Sequence, residues 1–363
     1  MKFKDLKISK EITSELDKHG IVELTKVQER VIPLIFKKKD VIVQSETGSG
    51  KTIGFAVPTI EDIKPAKRVQ VLVITPTREL AKQVAVEYIK FSKRKGLRTA
   101  IVYGGVSIND QIQQVRSADI VVGTPGRLLD LLRRKVLNLY DSRYLVIDEA
   151  DRLLDMGFIK DINTIISYMP KKRHNLMFSA TINSRVLGLA KRYLNDPVKV
   201  ILKNVLKRGI LKQYYYNVKE RDKTFLLMRL LKKERGLTLV FCNTKRKTKI
   251  VAYTLRKNGI KADCLNGDMT QSAREKTLEK FSKGIIDVLV ATDVASRGLH
   301  VEDITHIFNY DLHDEIDSYT HRIGRTARNG KRGTAIILLS GRDHPKMQKI
   351  MRKYGEHIEP RKA

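Results

Sequence analysis

The chain has 363 residues and a mass of 41.6 kDa, and 42% of its residues are hydrophobic. This length and composition predict two globular domains and exclude an intrinsically disordered chain. Lys and Arg number 71 against 40 Asp and Glu, a formal charge of +31, which favours a polyanionic partner such as nucleic acid. A generally basic proteome would give the same excess of charge, so the motifs must decide between the two.

Two features indicate the compartment. Cys242 and Cys264 lie in apolar, strand-like runs without a CxxC pair or metal-ligand spacing, so we expect buried side chains in a reducing compartment. The N-terminus lacks the apolar core of a signal peptide, and no stretch approaches the ~18 to 20 apolar residues of a membrane span. The sequence therefore predicts a soluble, cytoplasmic protein that makes no membrane contact.

Short β-branched runs alternate with longer amphipathic stretches, a pattern typical of parallel α/β sheets. In chain order the first group of predicted strands is Val41–Val43, Val71–Ile74, Ile120–Val122, Leu145–Ile147 and Leu176–Phe178. The second group is Thr238–Phe241, Ala262–Leu265, Val288–Val290, His306–Phe308 and Ala335–Leu339. The predicted fold class is α/β, with two tandem domains at 1–203 and 213–363, each a mostly parallel sheet flanked by helices. We expect a short flexible linker at 203–212, which contains Gly209, and a basic tail from His344 onward.

A glycine-rich segment follows the first predicted strand. It reads Ser45, Glu46, Thr47, Gly48, Ser49, Gly50, Lys51, Thr52. The glycines allow backbone N–H groups to surround phosphate oxygens at the start of a helix, so this segment predicts a P-loop, although its first position is Ser45 rather than Gly. Lys51 would contact the β and γ phosphates of ATP, and Thr52 would help to hold Mg²⁺.

A pair of carboxylates follows the strand that ends at Ile147. Asp148 and Glu149 begin the segment Asp-Glu-Ala-Asp, in which the first carboxylate would bind the metal and the second would activate water. Asp and Glu also favour the first turn of an ordinary helix, which is the alternative interpretation. The upstream P-loop favours the nucleotide site.

Together these motifs resemble the DEAD-box ATP-dependent RNA helicases of superfamily 2, and the resemblance runs from Phe3 to about Leu339. It implies two RecA-like domains, ATP and Mg²⁺ as cofactors, RNA as the partner and a monomeric protein. It also implies a segment at 1–28 that reads adenine, where the carboxamide of Gln28 would pair with the base and the ring of Phe3 would stack on it. The family usually has Pro where Leu24 stands.

The resemblance further implies RNA-backbone contacts at strand ends in both domains. In the first domain these residues are Thr77, Arg78, Gly104, Gly105, Thr124, Pro125, Gly126 and Arg127, and in the second they are Asn243, Arg274, Thr292 and Gly298. Hydroxyl, amide and guanidinium groups suit phosphate oxygens and 2′-hydroxyls but carry no base code, so binding should be largely sequence-independent. Taken alone, Gly104-Gly105 would be read as a tight turn.

Several residues are expected to link nucleotide state to domain closure. By resemblance, Ser179 and Thr181 belong to a coupling motif, as do His321 and Arg322, and Asp293 would lie near the nucleotide. His300 stands where the family has Asp, so ribose contact would be weakened or replaced.

An arginine-rich segment near the end of the second domain resembles the family's arginine fingers. Arg325 and Arg328 would reach the γ-phosphate, and their three-residue spacing suits neighbouring faces of a helix. The alternative is a solvated basic helix face. Ala327 replaces the commoner Gly and is expected to matter little.

The second domain contains no Walker lysine, so it is predicted to complete a nucleotide site held by the first. The predicted function is RNA-stimulated ATP hydrolysis coupled to local, non-processive unwinding or remodelling of RNA duplexes and ribonucleoproteins. Three alternatives stay open: an ATP-dependent RNA clamp or annealing factor, a DNA helicase of the same superfamily, and a non-enzymatic RNA-binding protein with an inactive P-loop. The sequence names no RNA target, pathway or protein partner.

Overall fold

The computed structural model describes residues 1–45, 48–202, 210–234, 236–296, 301, 303–314, 316–327, 331–354 and 358–362. Internal contacts divide the chain into two compact units, Met1–Asn204 and Val205–Ala363. Each unit is built on a seven-stranded sheet in which neighbouring strands are parallel. This confirms the predicted fold class. Among the described residues, no helix has both the length and the apolar character needed to cross a membrane.

The first sheet has the strand order β3-β4-β2-β5-β6-β1-β7. Its strands are β1 (Val41–Gln44), β2 (Val71–Ile74), β3 (Thr99–Val102), β4 (Ile120–Gly123), β5 (Tyr144–Ile147), β6 (His174–Ser179) and β7 (Val198–Ile201). The helices of this unit are α1 (Lys10–Lys18), α2 (Lys26–Phe36), α3 (Lys51–Asp62), α4 (Arg78–Ser92), α5 (Ile108–Val115), α6 (Pro125–Arg133), α7 (Ala150–Asp155), α8 (Ile159–Ser167) and α9 (Ser184–Tyr193).

The central strands of this sheet are buried on both faces. Val41 and Val43 of β1 belong to one hydrophobic cluster, whereas Ile42 between them belongs to the cluster on the opposite face. Val146 of β5 points to the first cluster and Leu145 to the second. A strand that packs on both sides needs apolar residues at every position, which is why these strands are continuous apolar runs in the sequence.

The second sheet has the order β10-β11-β9-β12-β13-β8-β14, which is the first order with seven added to each strand number. Its strands are β8 (Leu211–Asn217), β9 (Leu237–Phe241), β10 (Ala262–Leu265), β11 (Val288–Ala291), β12 (Ile304–Asn309), β13 (Gly333–Leu339) and β14 (Ile358–Arg361). Its helices are α10 (Lys223–Lys233), α11 (Lys245–Lys257), α12 (Gln271–Ser282), α13 (Asp293–Ser296), α14 (Ile316–Ile323) and α15 (His344–Tyr354). The two units therefore repeat one topology.

Some sequence predictions at the margins of the sheets are wrong. Strand β8 begins at Leu211, so the last two residues of the predicted linker belong to the second sheet, and 203–209 lie outside the described residues. The predicted basic tail contains helix α15 and strand β14. Cys242 is buried as expected, but Cys264 is only partly buried.

The sequence does not predict strands β3, β7 and β14, which all lie at sheet edges. An edge strand has one unpaired side and exposed positions, so it carries polar residues such as Lys199. Pro360 fits within β14 because an edge strand can lack one ladder hydrogen bond. Edge strands therefore lack the continuous apolar run by which the central strands are recognised.

Candidate functional site

A tight turn joins β1 to α3 at the carboxyl edge of the first sheet. Gly48 and Gly50 have φ angles of 83° and 88°, which favour glycine, and Gly50 is the N-cap of α3. Lys51, the first residue of α3, donates from Nζ to the carbonyl of Ser45 at 2.9 Å. The turn thus presents the first N–H groups of a helix beside a lysine, an arrangement suited to phosphate. Glu46 and Thr47 lie outside the described residues.

Two side chains at the start of helix α2, one from its N-cap and one from its first turn, hold this turn in place. Gln28 donates from Nε2 to the carbonyl of Gly50 at 3.0 Å, and Thr25 donates from Oγ1 to the carbonyl of Ser49 at 2.8 Å. Gln28 Oε1 also accepts from the N–H of Thr25 at 2.8 Å, which completes a capping box. Sequence reasoning did not single out Thr25, although its position three residues before Gln28 is the signature of that box.

The segment predicted to read adenine is therefore packed against the P-loop. Gln28 is 1% exposed, and its contact with a base stays a prediction. Phe3 is 2% exposed and belongs to the hydrophobic core of the first unit. In this arrangement the ring of Phe3 stabilises the core and presents no exposed face on which a base could stack, contrary to expectation.

Replacing Gly50 with Ala should disturb this contact. A Cβ atom at Gly50 would lie 2.6 Å from Gln28 Nε2 and 3.0 Å from Thr25 Oγ1, and the positive φ adds backbone strain. We expect a loss of about 1–3 kcal/mol of unfolding free energy in denaturant titrations, beyond that of the control, with weaker ATP binding. The control is Gly20→Ala, which has a φ of 69° but open space around the added atom. Equal losses in both variants would contradict the proposed packing of Gln28 against Gly50.

Asp148 and Glu149 follow β5 directly. Asp148 is 3% exposed, and burial raises its pKa to about 6 even though the nearby Lys51 favours the charged form. Glu149 adopts a φ of 50° as the N-cap of α7, and its carboxylate forms an ion pair with Arg152 one turn later. The carboxylates thus lie at the same edge of the sheet as Lys51. Sequence reasoning missed Arg152, which nothing distinguishes from a surface arginine in the sequence.

The segment Ser179–Thr181 at the end of β6 contacts both neighbouring motifs. The carboxylate of Asp151 accepts from the N–H of Thr181 at 2.8 Å and from its hydroxyl at 2.9 Å, and the N–H of Asp151 donates to Ser179 Oγ at 3.1 Å. On the other side, the N–H of Ser45 donates to the carbonyl of Ser179 at 3.1 Å. The predicted coupling segment therefore links the P-loop to the acidic motif, and its role in coupling stays a prediction.

The other strand ends of the first sheet carry the residues predicted to contact RNA. The turns after β2, β3 and β4 are neighbours because the strand order is β3-β4-β2. Gly105 has a φ of 80°, and a Cβ atom there would overlap the guanidinium of Arg78, so Arg78 packs against the Gly104-Gly105 turn. The structure brings these three residues together at one half of the edge, while β5, β6 and β1 form the other half, which carries the residues predicted to bind the nucleotide.

The remaining residues of the first sheet that are predicted to contact RNA lie at the beginnings of helices α4 and α6. Thr77 caps α4 by accepting from the N–H of Leu80 at 3.3 Å. Thr124 is the N-cap of α6, with Pro125 at the first helical position and Gly126 next to it. Arg127 donates to the carbonyl of Val106 at 3.2 Å and to Gln111 Oε1 at 3.3 Å. The hydrogen bonds of Arg127 thus tie the turn after β4 to the loop after β3.

The second sheet places its RNA candidates in the corresponding positions. Asn243 and Thr292 follow β9 and β11, and Arg274 lies in α12 after β10, on three strands that are neighbours in the order β10-β11-β9. Arg274 donates from Nη2 to the carbonyl of Ala295 at 3.1 Å. Gly298 lies outside the described residues, as does His300.

Arg322 occupies the centre of a buried network in the second unit. It is 2% exposed and binds Asp293 with two hydrogen bonds, from Nε to Oδ1 at 2.6 Å and from Nη2 to Oδ2 at 2.5 Å. Burial alone would raise the pKa of Asp293, but pairing with Arg322 holds it below its usual value. Arg322 also donates to Asn243 Oδ1 at 3.2 Å. The predicted nucleotide residue Asp293 is therefore bound by the predicted coupling residue Arg322, within one unit.

The helical placement of the two arginine fingers is wrong for Arg325. Helix α14 contains His321 and Arg322 but ends at Ile323, and the N–H of Arg325 donates to the carbonyl of Arg322 at 3.0 Å in the turn that follows. Ala327 in this turn has a φ of 54°, so it costs about 1 kcal/mol where glycine would be unstrained, contrary to the expected neutrality. Arg328 lies outside the described residues.

Comparisons with known proteins agree with these motifs. The family model described as DEAD/DEAH box helicase matches residues 25–188, and the model described as helicase conserved C-terminal domain matches residues 222–330. The chain is 44% identical to DEAD-box ATP-dependent RNA helicase CshA of Streptococcus pneumoniae serotype 4, over 90% of this chain and 63% of that protein. It therefore spans less than two thirds of that relative's length.

Two further relatives match along nearly their whole length. The chain is 42% identical to the probable ATP-dependent RNA helicase MJ0669 of Methanocaldococcus jannaschii, over 97% of this chain and 95% of that protein. The solved structure of S. cerevisiae Dbp5 bound to RNA and ADP BeF3 gives a TM-score of 0.91 at 28% identity, covering 99% of this chain and 95% of that one. The two parallel sheets match its tandem RecA-like domains. The chain therefore belongs to the DEAD/DEAH box helicase family.

Proposed function

We propose that the chain is an ATP-dependent RNA helicase that couples RNA-stimulated ATP hydrolysis to local, non-processive unwinding or remodelling of RNA duplexes and ribonucleoproteins. One observation carries the proposal. The adjacent strands β5, β6 and β1 end in the acidic motif, the Ser179–Thr181 segment and the P-loop, and hydrogen bonds join these three motifs. A change at the phosphate-binding turn can therefore be transmitted to the acidic motif through direct contacts.

ATP binding is assigned to the segment 45–52, which leads from β1 into α3. Lys51 and the N–H groups of the first turn of α3 would bind phosphate oxygens. Ser49 and Gly50 line this turn and Gln28 supports it. The carboxylate of Asp293 is held by Arg322 in the second unit, and Asp293 is proposed to lie near the nucleotide. Arg325 and Arg328 are proposed to supply positive charge to the γ-phosphate when RNA and ATP are both bound.

The residues at this edge fit Mg²⁺. Magnesium favours oxygen ligands and is commonly held by one or two carboxylates together with nucleotide phosphates. The raised pKa of Asp148, about 6, indicates a carboxylate whose charge is poorly compensated, and a bound cation would relieve this. Among the described residues, no group of three or more His, Cys, Asp or Glu side chains could hold a metal ion, so the nucleotide phosphates would have to supply further ligands. Asp148 and Thr52 would hold the ion, which would neutralise charge on the phosphates.

RNA binding is assigned to one half of the carboxyl edge of each sheet. That half is formed by β3-β4-β2 in the first sheet and by β10-β11-β9 in the second. Contacts to the sugar-phosphate backbone make this binding sequence-independent and salt-sensitive. If RNA and ATP each favour the same conformation, each must tighten the binding of the other by the same factor. The two free cysteines, Cys242 and Cys264, support the proposed cytoplasmic location, and we propose a monomer.

The test is a comparison of nucleic acids as activators of the wild-type protein. ATP hydrolysis is measured without nucleic acid, with single-stranded RNA and with DNA of the same sequence and length. We expect stimulation by RNA and little by DNA. Displacement of a short labelled RNA strand is then measured, because a clamp or annealing factor would hydrolyse ATP without displacing it. Equal stimulation by DNA would favour a DNA helicase, and the absence of turnover would reject an enzymatic function.

A further inference from the structure

The second unit has its own counterpart of the nucleotide end. In the first unit that end is formed by β1, β5 and β6, and the matching strands of the second sheet are β8, β12 and β13. Lys51 is the first residue of the helix after β1, and Lys223 is likewise the first residue of α10, the α-helix after β8. Shared topology therefore gives the second unit a lysine at the position of the P-loop lysine, although this unit lacks the glycine-rich motif of a P-loop.

Lys223 is surrounded by the protein's own carboxylates. The side chain is fully buried, and Nζ donates to Asp343 Oδ2 at 2.8 Å and to the carbonyl of Tyr310 at 2.8 Å. Glu220 and Asp311 lie 3.3 and 3.8 Å from the same nitrogen. Glu220, Asp311 and Asp343 follow β8, β12 and β13 respectively. Where the first unit is proposed to receive phosphates, the second unit thus supplies carboxylates.

A second lysine also contacts two of these carboxylates. Lys247 of α11 binds Glu220 at 2.9 Å and Asp311 at 2.8 Å. Partial burial favours the neutral form of Glu220, but hydrogen bonds from Lys247 and Ser340 lower its pKa to about 2, so it remains ionised at neutral pH. We call Glu220, Lys223, Lys247, Asp311 and Asp343 the carboxylate cluster. Its two cations and three anions are mutually paired, which a buried set of charges requires.

Asp311 connects the carboxylate cluster to the other half of the sheet edge. Its Oδ2 atom accepts from the N–H of Asn243 at 3.0 Å, and its carbonyl accepts from Arg322 Nη1 at 2.6 Å. Asn243 is the second residue after β9, in the half of the edge assigned to RNA. The position of this turn therefore depends on an aspartate that Lys223 and Lys247 hold in place.

We propose that the carboxylate cluster takes the place of a nucleotide in the second unit, and that Lys223 is a positioning residue for RNA binding. It fixes Asp311 and, through Asp311, the turn that contains Asn243. This inference rests on the proposed RNA-dependent activity. It predicts that loss of Lys223 weakens RNA binding without affecting the nucleotide end of the first unit.

The test separates positioning from stability. Lys223→Met leaves three carboxylates around one cation and should destabilise the second unit. The double variant Lys223→Met with Asp343→Asn removes one charge of each sign, which restores the charge balance of the cluster and the stability. The control is Lys283→Met, which removes a lysine 62% exposed on the same unit. Thermal unfolding, the RNA concentration for half-maximal ATPase stimulation, kcat at saturating RNA and KM for ATP are measured for each.

We expect the double variant to unfold near the wild-type temperature while its half-maximal RNA concentration rises about tenfold, with kcat and KM for ATP unchanged. If the double variant does not fold, Lys247→Gln provides a second variant, because Lys247 is partly exposed. We expect the same rise in its half-maximal RNA concentration. The inference would be overturned if the double variant folded and kept the wild-type RNA concentration for half-maximal stimulation. If the double variant did not fold, the same result with a folded Lys247→Gln would overturn it. Either result would leave the proposed function intact. Absence of RNA stimulation in the wild-type protein would reject both.

Discussion

Glu149→Gln should lower RNA-stimulated ATP turnover by about 10²- to 10⁴-fold, the usual contribution of a general base. The amide keeps the size of the side chain and can still accept a hydrogen bond from Arg152, the ion-pair partner of Glu149. It cannot take a proton from water. The measurement is steady-state ATP hydrolysis at saturating RNA, together with RNA binding in the presence of ATP.

RNA binding in the presence of ATP should be retained in this variant, because the P-loop and the strand ends are unchanged. The matched control is Glu87→Gln, which removes a carboxylate on α4 that pairs with Lys90. That control should turn over ATP like the wild type. Unchanged turnover in Glu149→Gln would show that another group activates the water.

Asp148→Asn should abolish ATP hydrolysis and at the same time stabilise the first unit at alkaline pH. Burial raises the pKa of Asp148 from an ordinary value of 3.8 to about 6. The folded protein therefore binds the proton of the Asp148 carboxyl group more tightly than the unfolded chain does. The protonated group stabilises the fold fully below about pH 4, and this stabilisation is lost as the pH rises to 6. Two pKa units correspond to about 3 kcal/mol, which the neutral amide should recover at pH 8.

The check is denaturant unfolding followed by circular dichroism at pH 8 and pH 4. The advantage of Asp148→Asn over the wild type should be largest at pH 8 and should vanish at pH 4. The control is Asp141→Asn, which removes a carboxylate that is 44% exposed and lies 3.7 Å from Arg68, and such surface pairs contribute little. A variant of Asp148 that is less stable than the wild type at pH 8 would mean that electrostatic attraction to Lys51 outweighs the cost of burying the carboxylate.

Much of the fold was readable from the sequence because the sheets are parallel and covered on both faces. Strands such as Val71–Ile74 are buried at all four positions, so they are continuous apolar runs bounded by polar turns. The sequence does not predict the edge strands Thr99–Val102 and Ile358–Arg361, because they contain partly buried or exposed positions and lack a continuous buried apolar run. The edge strand Ala262–Leu265 is predicted correctly.

The sequence by itself determined the order of the motifs and the fold class, and it indicated the residues proposed to bind the nucleotide, because glycines, a lysine and carboxylates in this order at strand ends are typical of phosphate-binding sites. Only the tertiary structure decided what holds those residues. Gln28 contacts Gly50 across 22 positions, Thr181 contacts Asp151 across 30, and Lys223 contacts Asp343 across 120. Such contacts follow from the order of strands in a sheet, which local sequence patterns do not encode. For the same reason the second lysine, Lys223, became recognisable only when the two sheets proved to share one strand order.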